Sequence, residues 1–309
     1  MFFDKVLVIP DGVDVITVEL LEELCEKLHI KKKNVQKVII PDDVTKIDYY
    51  AFSEFFKLTE FIMPDSITSL GEYAFVSCSS LKVLKLSKGL IAIPAHAFDN
   101  CRSLTSLEIP EGVTQIEEYA FNACNSLVDL KLPSTLRWIC EKAFYSCSSL
   151  VSVEFPVNLA YILRQAFNYC RNLSSIKFNN GLEIIGIDAF AGCDKLNNVV
   201  IPESVKEINF GAFGHCNSLT NVKLMCDTLA VKLHADSSAC NPFCECLKDL
   251  QIELKDGKVV SAEELKDIVD PEYTGTNSID VKAESKDSKE ESKDSEEESR
   301  GIKKISAFD

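Results

Sequence analysis

The chain has 309 residues, with 48 Asp or Glu against 33 Lys or Arg, a formal net charge of -15. That balance argues against nucleic-acid binding, which rewards clustered Lys and Arg, and against attachment to anionic membrane surfaces. No apolar run is long enough to span a bilayer, so no membrane insertion is expected, and "MFFDKVLVIP" carries charges early and lacks a signal-peptide core.

From the N-terminus, "KVLVIPDGVDVI" (Lys5 to Ile16) imitates "KVIIPDDVTKI" (Lys37 to Ile47). Between them, "VELLEELCEKLHI" places Leu20, Leu21, Leu24 and Leu28 at helical spacing. Residues 1–34 are therefore expected to form an N-terminal cap with one helix.

Residues 35–224 repeat. An Ala-Phe pair stands at Ala51-Phe52, Ala74-Phe75, Ala97-Phe98, Ala120-Phe121, Ala143-Phe144, Ala166-Phe167, Ala189-Phe190 and Ala212-Phe213, each step 23 residues (74 − 51) without insertion. A fixed period of this size marks a solenoid, whose units are too small to bury an apolar face alone and stack on their neighbours. In the unit beginning at Leu104, the spacing of Leu104, Leu107 and Ile109 suits a short strand entered through a turn. Proline ends that strand at Pro41, Pro64, Pro110, Pro133, Pro156 and Pro202, since it has no N–H to donate. Turn formers such as Asp43, Gly112 and Asn158 follow, then a V-x-x-I segment, then the Ala-Phe corner. Ala, Phe and the following Cys read as interior columns, with Cys a small hydrophobe.

The pattern L-x-x-L-x-I-P, V-x-x-I, A-F-x-x-C-x-x-L resembles the BspA-like class of leucine-rich repeats over Val35 to Leu224. The resemblance implies an α/β-type leucine-rich repeat solenoid, a right-handed coil with a parallel β-sheet on one face and short strands and turns on the other.

Beyond Leu224 the register breaks. Residues 225–269 read as a C-terminal cap, with "CECLKDLQIEL" a degenerate last strand and Ser261 with Glu264 a capping box for a short helix. Residues 270–309 read as a disordered acidic tail, because the stretch "DVKAESKDSKEESKDSEEESR" is almost devoid of apolar side chains, although the closing "GIKKISAFD" regains some.

The surface columns supply the candidate sites. Along the strands, Lys85, Glu108, Lys131, Glu154 and Lys177 alternate in sign, which makes either a self-neutralised ladder or a partner-binding face, with Ile39 and Ile62 as its apolar margin. Before the Ile of V-x-x-I, Trp138, Tyr161 and Ile184 fall one unit apart, either an exposed ridge of hot-spot chemistry or residues packed on a neighbouring loop.

Cys226, His234, Cys240, Cys244 and Cys246 offer zinc donors, but their spacing lacks paired C-x2-C knuckles, so packing is expected there and neither a metal nor a cofactor. The seven-membered Cys column from Cys78 to Cys216 reads as buried free thiols, which favours a reducing compartment. His29, His96, His215 and His234 are scattered and no catalytic motif is present, so no enzyme is expected. The sequence thus points to a cytoplasmic, non-catalytic scaffold for a protein partner. The alternatives are a cell-surface adhesin or antigen, which the resemblance suggests, and a metal-binding or thiol-sensing protein using the C-terminal cysteines.

Overall fold

A computed structural model describes residues 5–226, 232–233, 241–246 and 249–267. The chain divides into two units, Met1–Gly275 and Thr276–Asp309, and every described residue lies in the first. The expected acidic tail, like His234 and Cys240, falls outside the described residues.

The coil of residues 104–126 shows how each unit is built. Leu104, Leu107 and Ile109 are buried around the strand Ser106–Glu108, whose first and last residues face water. Pro110 then opens a turn, its carbonyl accepting the Val113 N–H at 3.3 Å. A two-residue strand, Gln115–Ile116, follows and leads to the corner at Ala120 and Phe121, both fully buried. Repetition of this unit makes a parallel-strand solenoid with two strand columns.

The long-strand column runs through Val6–Val8, Lys37–Ile39, Glu60–Ile62 and Val83–Lys85, then Ser106–Glu108 with Asp129–Lys131, and Ser152–Glu154 with Ser175–Lys177. It ends with Asn198–Ile201, Asn221–Leu224 and Gln251–Glu253, against which Val259–Ser261 pairs antiparallel. The short-strand column forms two sheets, Val15–Ile16 to Ser69–Leu70 and Ala92–Ile93 to Lys232–Leu233. Pro94 stands at the break and removes one of its bonds. At its place in other coils an N–H reaches the preceding coil, as from Gly71 to Ile47 at 2.8 Å and from Glu117 to Ile93 at 2.9 Å. Proline has no such hydrogen.

A third ladder runs along the Ala-Phe corner. Three amides per coil donate to the next coil, for example Tyr119 to Glu141 at 2.9 Å, Phe121 to Ala143 at 2.8 Å and Ala123 to Tyr145 at 2.8 Å. Two residues per coil turn left-handed to aim these amides, such as Tyr119 at φ 55° and Ala123 at φ 54°. L-residues resist that conformation by about 1–2 kcal/mol, so the ladder and the packing inside it must offset the cost. Inside, the Phe rings stack from Phe52 to Phe213 with centroids 5.0–5.4 Å apart, each pair contributing about 0.5–1.5 kcal/mol beyond its burial.

The Cys column does more than fill space. Each thiol donates to the Phe carbonyl of the preceding coil, from Cys78 to Phe52 at 3.1 Å through to Cys216 to Phe190 at 3.3 Å. Burial pushes the Cys78 thiol up to about 12 and the others also upward, which keeps them protonated donors. In the first Ala-Phe coil there is no earlier corner to serve, and Phe55 stands in the Cys place, packing edge-on against Phe52 at 5.4 Å.

The ends depart from this scheme. The helix Val18–Lys27 replaces the corner in the opening coil, capped by Thr17, whose hydroxyl accepts the Leu20 N–H, and it buries Leu21 and Cys25. Leu28 lies past its end and is 50% exposed, so it is not part of the packed face. Stacking continues past Leu224: Phe243 lies on Phe213 at 5.6 Å, Cys246 donates to the Phe213 carbonyl at 3.0 Å, and Gln251 pairs with Asn221. That coil is 30 residues long (243 − 213), with Pro242 where Ala would be. Ser261 and Glu264 exchange the reciprocal bonds of a capping box at 2.7 and 3.2 Å, opening the single 3-10 turn Glu264–Asp267.

Replacing Ala123 by Gly should stabilise the protein by up to about 1 kcal/mol in denaturant unfolding, the reverse of the usual sign, because Gly adopts the left-handed conformation without the side-chain penalty. A loss of stability would mean that the corner stores no such cost.

Candidate functional site

Inward Ile139, Ile162 and Ile185 fix the short strands in the core, so the residue before each points outward. Strand pairing sets Trp138 opposite Tyr161 and Tyr161 opposite Ile184. The Trp138 and Tyr161 rings stack at 3.8 Å with planes 16° apart. All three side chains are half-buried, with Gln115 and Glu207 as the polar residues at either end of the row.

The charged candidates lie along the long-strand column. Glu108 pairs with Lys131 at 3.4 Å and Glu154 with Lys177 at 2.5 Å, all four side chains at least 70% exposed. Such pairs are worth about 0–1 kcal/mol. Both ion pairs join strands that also share backbone hydrogen bonds. Lys131 and Glu154 instead face each other across a junction where the sheet is interrupted. Lys85 lies opposite Ile62 in register and makes no ion pair among the described residues. Ile39 and Ile62 are 48% and 42% exposed, and Val8, which the sequence reading did not single out, extends that margin beside Ile39 at 54%. The candidates therefore divide between the two strand columns rather than forming one site.

At the junction beside Lys131 lies an open depression of about 570 Å³, edged by Lys131, Glu154 and Lys177 and floored by Leu132, Phe155 and Phe178. Phe155 and Phe178 occupy the inward position just after their strands and stack at 5.4 Å. Three of the charged candidates thus surround an apolar floor.

A column missed by the sequence reading lies immediately before Ala-Phe. Tyr50, Tyr73, His96 and Tyr119 stack at 4.8, 4.4 and 4.6 Å, and the Lys142 ammonium sits 4.8 Å over the Tyr119 ring. The repeated Tyr-Ala-Phe triplet was its visible signal. Beneath the stack, His96 Nδ1 meets Asp99 at 3.0 Å, and Glu117 accepts the Ala95 N–H at 3.1 Å. Burial, helped by the Glu72 and Glu118 charges and opposed by the Ala95 bond, holds the Glu117 carboxyl above its ordinary range.

Of the zinc-donor candidates, Cys246 belongs to the Cys column, Cys226 is buried, and Cys244 is disulfide-bonded. Among the described residues no group of three or more His, Cys, Asp or Glu is placed to hold a metal ion. No helix among them is long and apolar enough to cross a membrane.

The raised Glu117 carboxyl makes the folded state bind more protons than the unfolded state, so its contribution favours folding at low pH and is lost as pH rises through its folded value. Glu117→Gln keeps an acceptor for Ala95 and should raise Tm at pH 7, with the gain vanishing on acidification through the carboxylate range. An unchanged or lower Tm at pH 7 would contradict this burial cost.

Comparison with known proteins places this architecture. A model of the BspA type leucine-rich repeat region matches residues 19–128 and 91–220, in 6 copies. Among solved structures, a leucine-rich repeat protein from Bacteroides ovatus is 23% identical, with 69% of this chain and 67% of that chain covered and a TM-score of 0.47. A Treponema leucine-rich repeat protein (T. pallidum) is 32% identical over 52% of this chain and 77% of its own, TM-score 0.48. A leucine-rich cell surface protein from Faecalibacterium prausnitzii is 20% identical over 86% and 90%, TM-score 0.40. No curated protein matches the chain.

Proposed function

The chain belongs to the BspA-type leucine-rich repeat family, and we propose that it is a non-catalytic scaffold that captures a protein partner through the faces of its repeat array. The observation that carries this reading is the half-buried Trp138–Tyr161 stack, continued by Ile184. Large rigid rings that keep part of their surface in water are the usual anchors of protein interfaces, because burying them costs little side-chain entropy. The depression edged by Lys131, Glu154 and Lys177 is the second contact area in this reading: its apolar floor suits one side chain of the partner, and its charged rim supplies orientation. Lys85, Glu108, Ile39 and Ile62 extend that face, and the interior Ala, Phe and Cys columns of the corner serve stability alone.

We assign the action to the cytoplasm on the strength of the free, buried Cys column. The disulfide at Cys244 is the observation that favours the cell-surface reading.

One experiment on source cells carrying a tagged copy reads both parts. Protease added to intact cells should leave the protein whole, and crosslinking should recover one stoichiometric partner whose yield falls about tenfold or more in the Trp138→Ala, Tyr161→Ala double variant, a loss of roughly 1.4 kcal/mol. Circular dichroism should show the variant folded. Equal recovery from the folded variant would remove the stack from the interface, and digestion on intact cells would move the protein to the surface.

A further inference from the structure

The Trp138–Tyr161 stack lies between two cations that nothing in the chain neutralises. Of the four arginines among the described residues, Arg102 bonds Asn100 at 3.0 and 3.3 Å, and Arg171 lies over the Tyr169 ring at 5.7 Å. Arg137 and Arg164 are exposed, and neither makes an ion pair or side-chain hydrogen bond among the described residues. Both border the stack. Arg137 immediately precedes Trp138, and Arg164 follows Tyr161 by three residues, past the buried Ile162 and the half-buried Leu163.

The carboxylates that share columns with these arginines are committed or more distant. Glu141, one coil before Arg164, pairs with Lys142 at 3.3 Å, and Glu183, two coils after Arg137, pairs with Lys206 at 3.0 Å. Glu118 lies a further coil away from Arg164 than Glu141 does. In a chain of formal net charge -15, two uncompensated guanidinium groups beside the only tryptophan make a local site of opposite sign. Each guanidinium presents a planar fork that matches a carboxylate bidentately, and Trp, Tyr and Arg together are the side chains on which interfaces most often anchor.

We propose that this surface, from Arg137 across Trp138, Tyr161 and Leu163 to Arg164, binds an extended acidic segment of a partner protein in the order acid-x-apolar-x-acid. The proposal rests on the reading of the ring stack as a protein interface and names the chemistry its partner presents. The spacing follows from the repeat. One coil on, Ala160 holds the place of Arg137 (137 + 23), so Arg164 lies four residues farther along (164 − 160) and one coil across. At roughly 3.3 Å per extended residue and about 4.8 Å between strands, that is roughly 14 Å. Side chains i and i+4 of an extended segment stand about 13 Å apart on one face, with i+2 between them. The two carboxylates then meet the two guanidinium forks, while the middle side chain rests on Tyr161 and Leu163 against the ring stack.

The test titrates the full chain into fluorescein-labelled Ser-Glu-Thr-Phe-Thr-Glu-Ser, and separately into its isomer Ser-Glu-Glu-Thr-Thr-Phe-Ser, by anisotropy in about 150 mM salt, where a Debye length of about 8 Å screens repulsion from the acidic chain. The spaced peptide should bind saturably and about fivefold or more tighter than the clustered isomer. Arg137→Gln with Arg164→Gln should weaken it about tenfold. Lys31→Gln with Lys33→Gln removes the same charge from the N-terminal cap and should change it less than about twofold. No saturable binding overturns the proposal. So do equal affinities for the two isomers, or equal losses in the two double variants, since either means that net charge alone governs binding. Recovery of the cellular partner is scored separately. If it still depends on Trp138 and Tyr161 but survives Arg137→Gln with Arg164→Gln, the interface stands and the acidic motif falls.

Discussion

The stacking of one buried phenylalanine on the next, with the amide ladder that encloses it, is the constraint on which the structure depends. A coil of 23 residues returns to its start only if its corner turns sharply twice, and both turns fall on residues that resist the conformation, such as Tyr119 and Ala123. The ring stack fixes the height of each coil, and three amides per coil then meet carbonyls of the next. The long strands cannot play this part, because their sheet is interrupted after Lys85, Lys131 and Lys177 while the corner continues unbroken through the same coils.

The cysteine column follows from that geometry. Turning the chain at Phe leaves its carbonyl facing the next coil, where a short donor without extra bulk is needed. A thiol supplies a weak hydrogen bond and fits where an aromatic ring cannot. The first corner, which has no predecessor, carries a ring there instead, at Phe55. The interior columns are thus occupied by packing and backbone pairing, and specificity falls to the outward positions, where neighbouring coils differ: Trp138 beside Tyr161, Tyr73 beside His96. An array of this kind composes a binding face by stacking single residues.

Much of this was legible because each column does one job in every coil. The period, the inward Leu and Phe, the turn after proline and the stacking of Trp138 on Tyr161 could all be counted from the sequence. Other features depended on single atoms or on backbone angles. Pro94 removes one hydrogen bond where a sheet breaks, with nothing in its neighbours to mark it. The thiol's role as a donor is hidden in a residue that also serves as a hydrophobe. The coil containing Phe243 escaped the count because Pro242 stands for Ala and seven residues are added (30 − 23). The Tyr-His stack was present as a repeated triplet, but its direction is set by left-handed residues that are not glycine, for which sequence gives little warning.

Native-state hydrogen exchange tests most directly whether the corner holds the coils together. If it does, the amides of Phe98, Phe121, Phe144 and Phe167 are the slowest in the chain and exchange with a common free energy, while amides beside the long-strand junctions open at lower cost. Corner amides that exchange earlier than those of the paired long strands would contradict this, and would mean that the sheet, not the corner, sets the register of the coils.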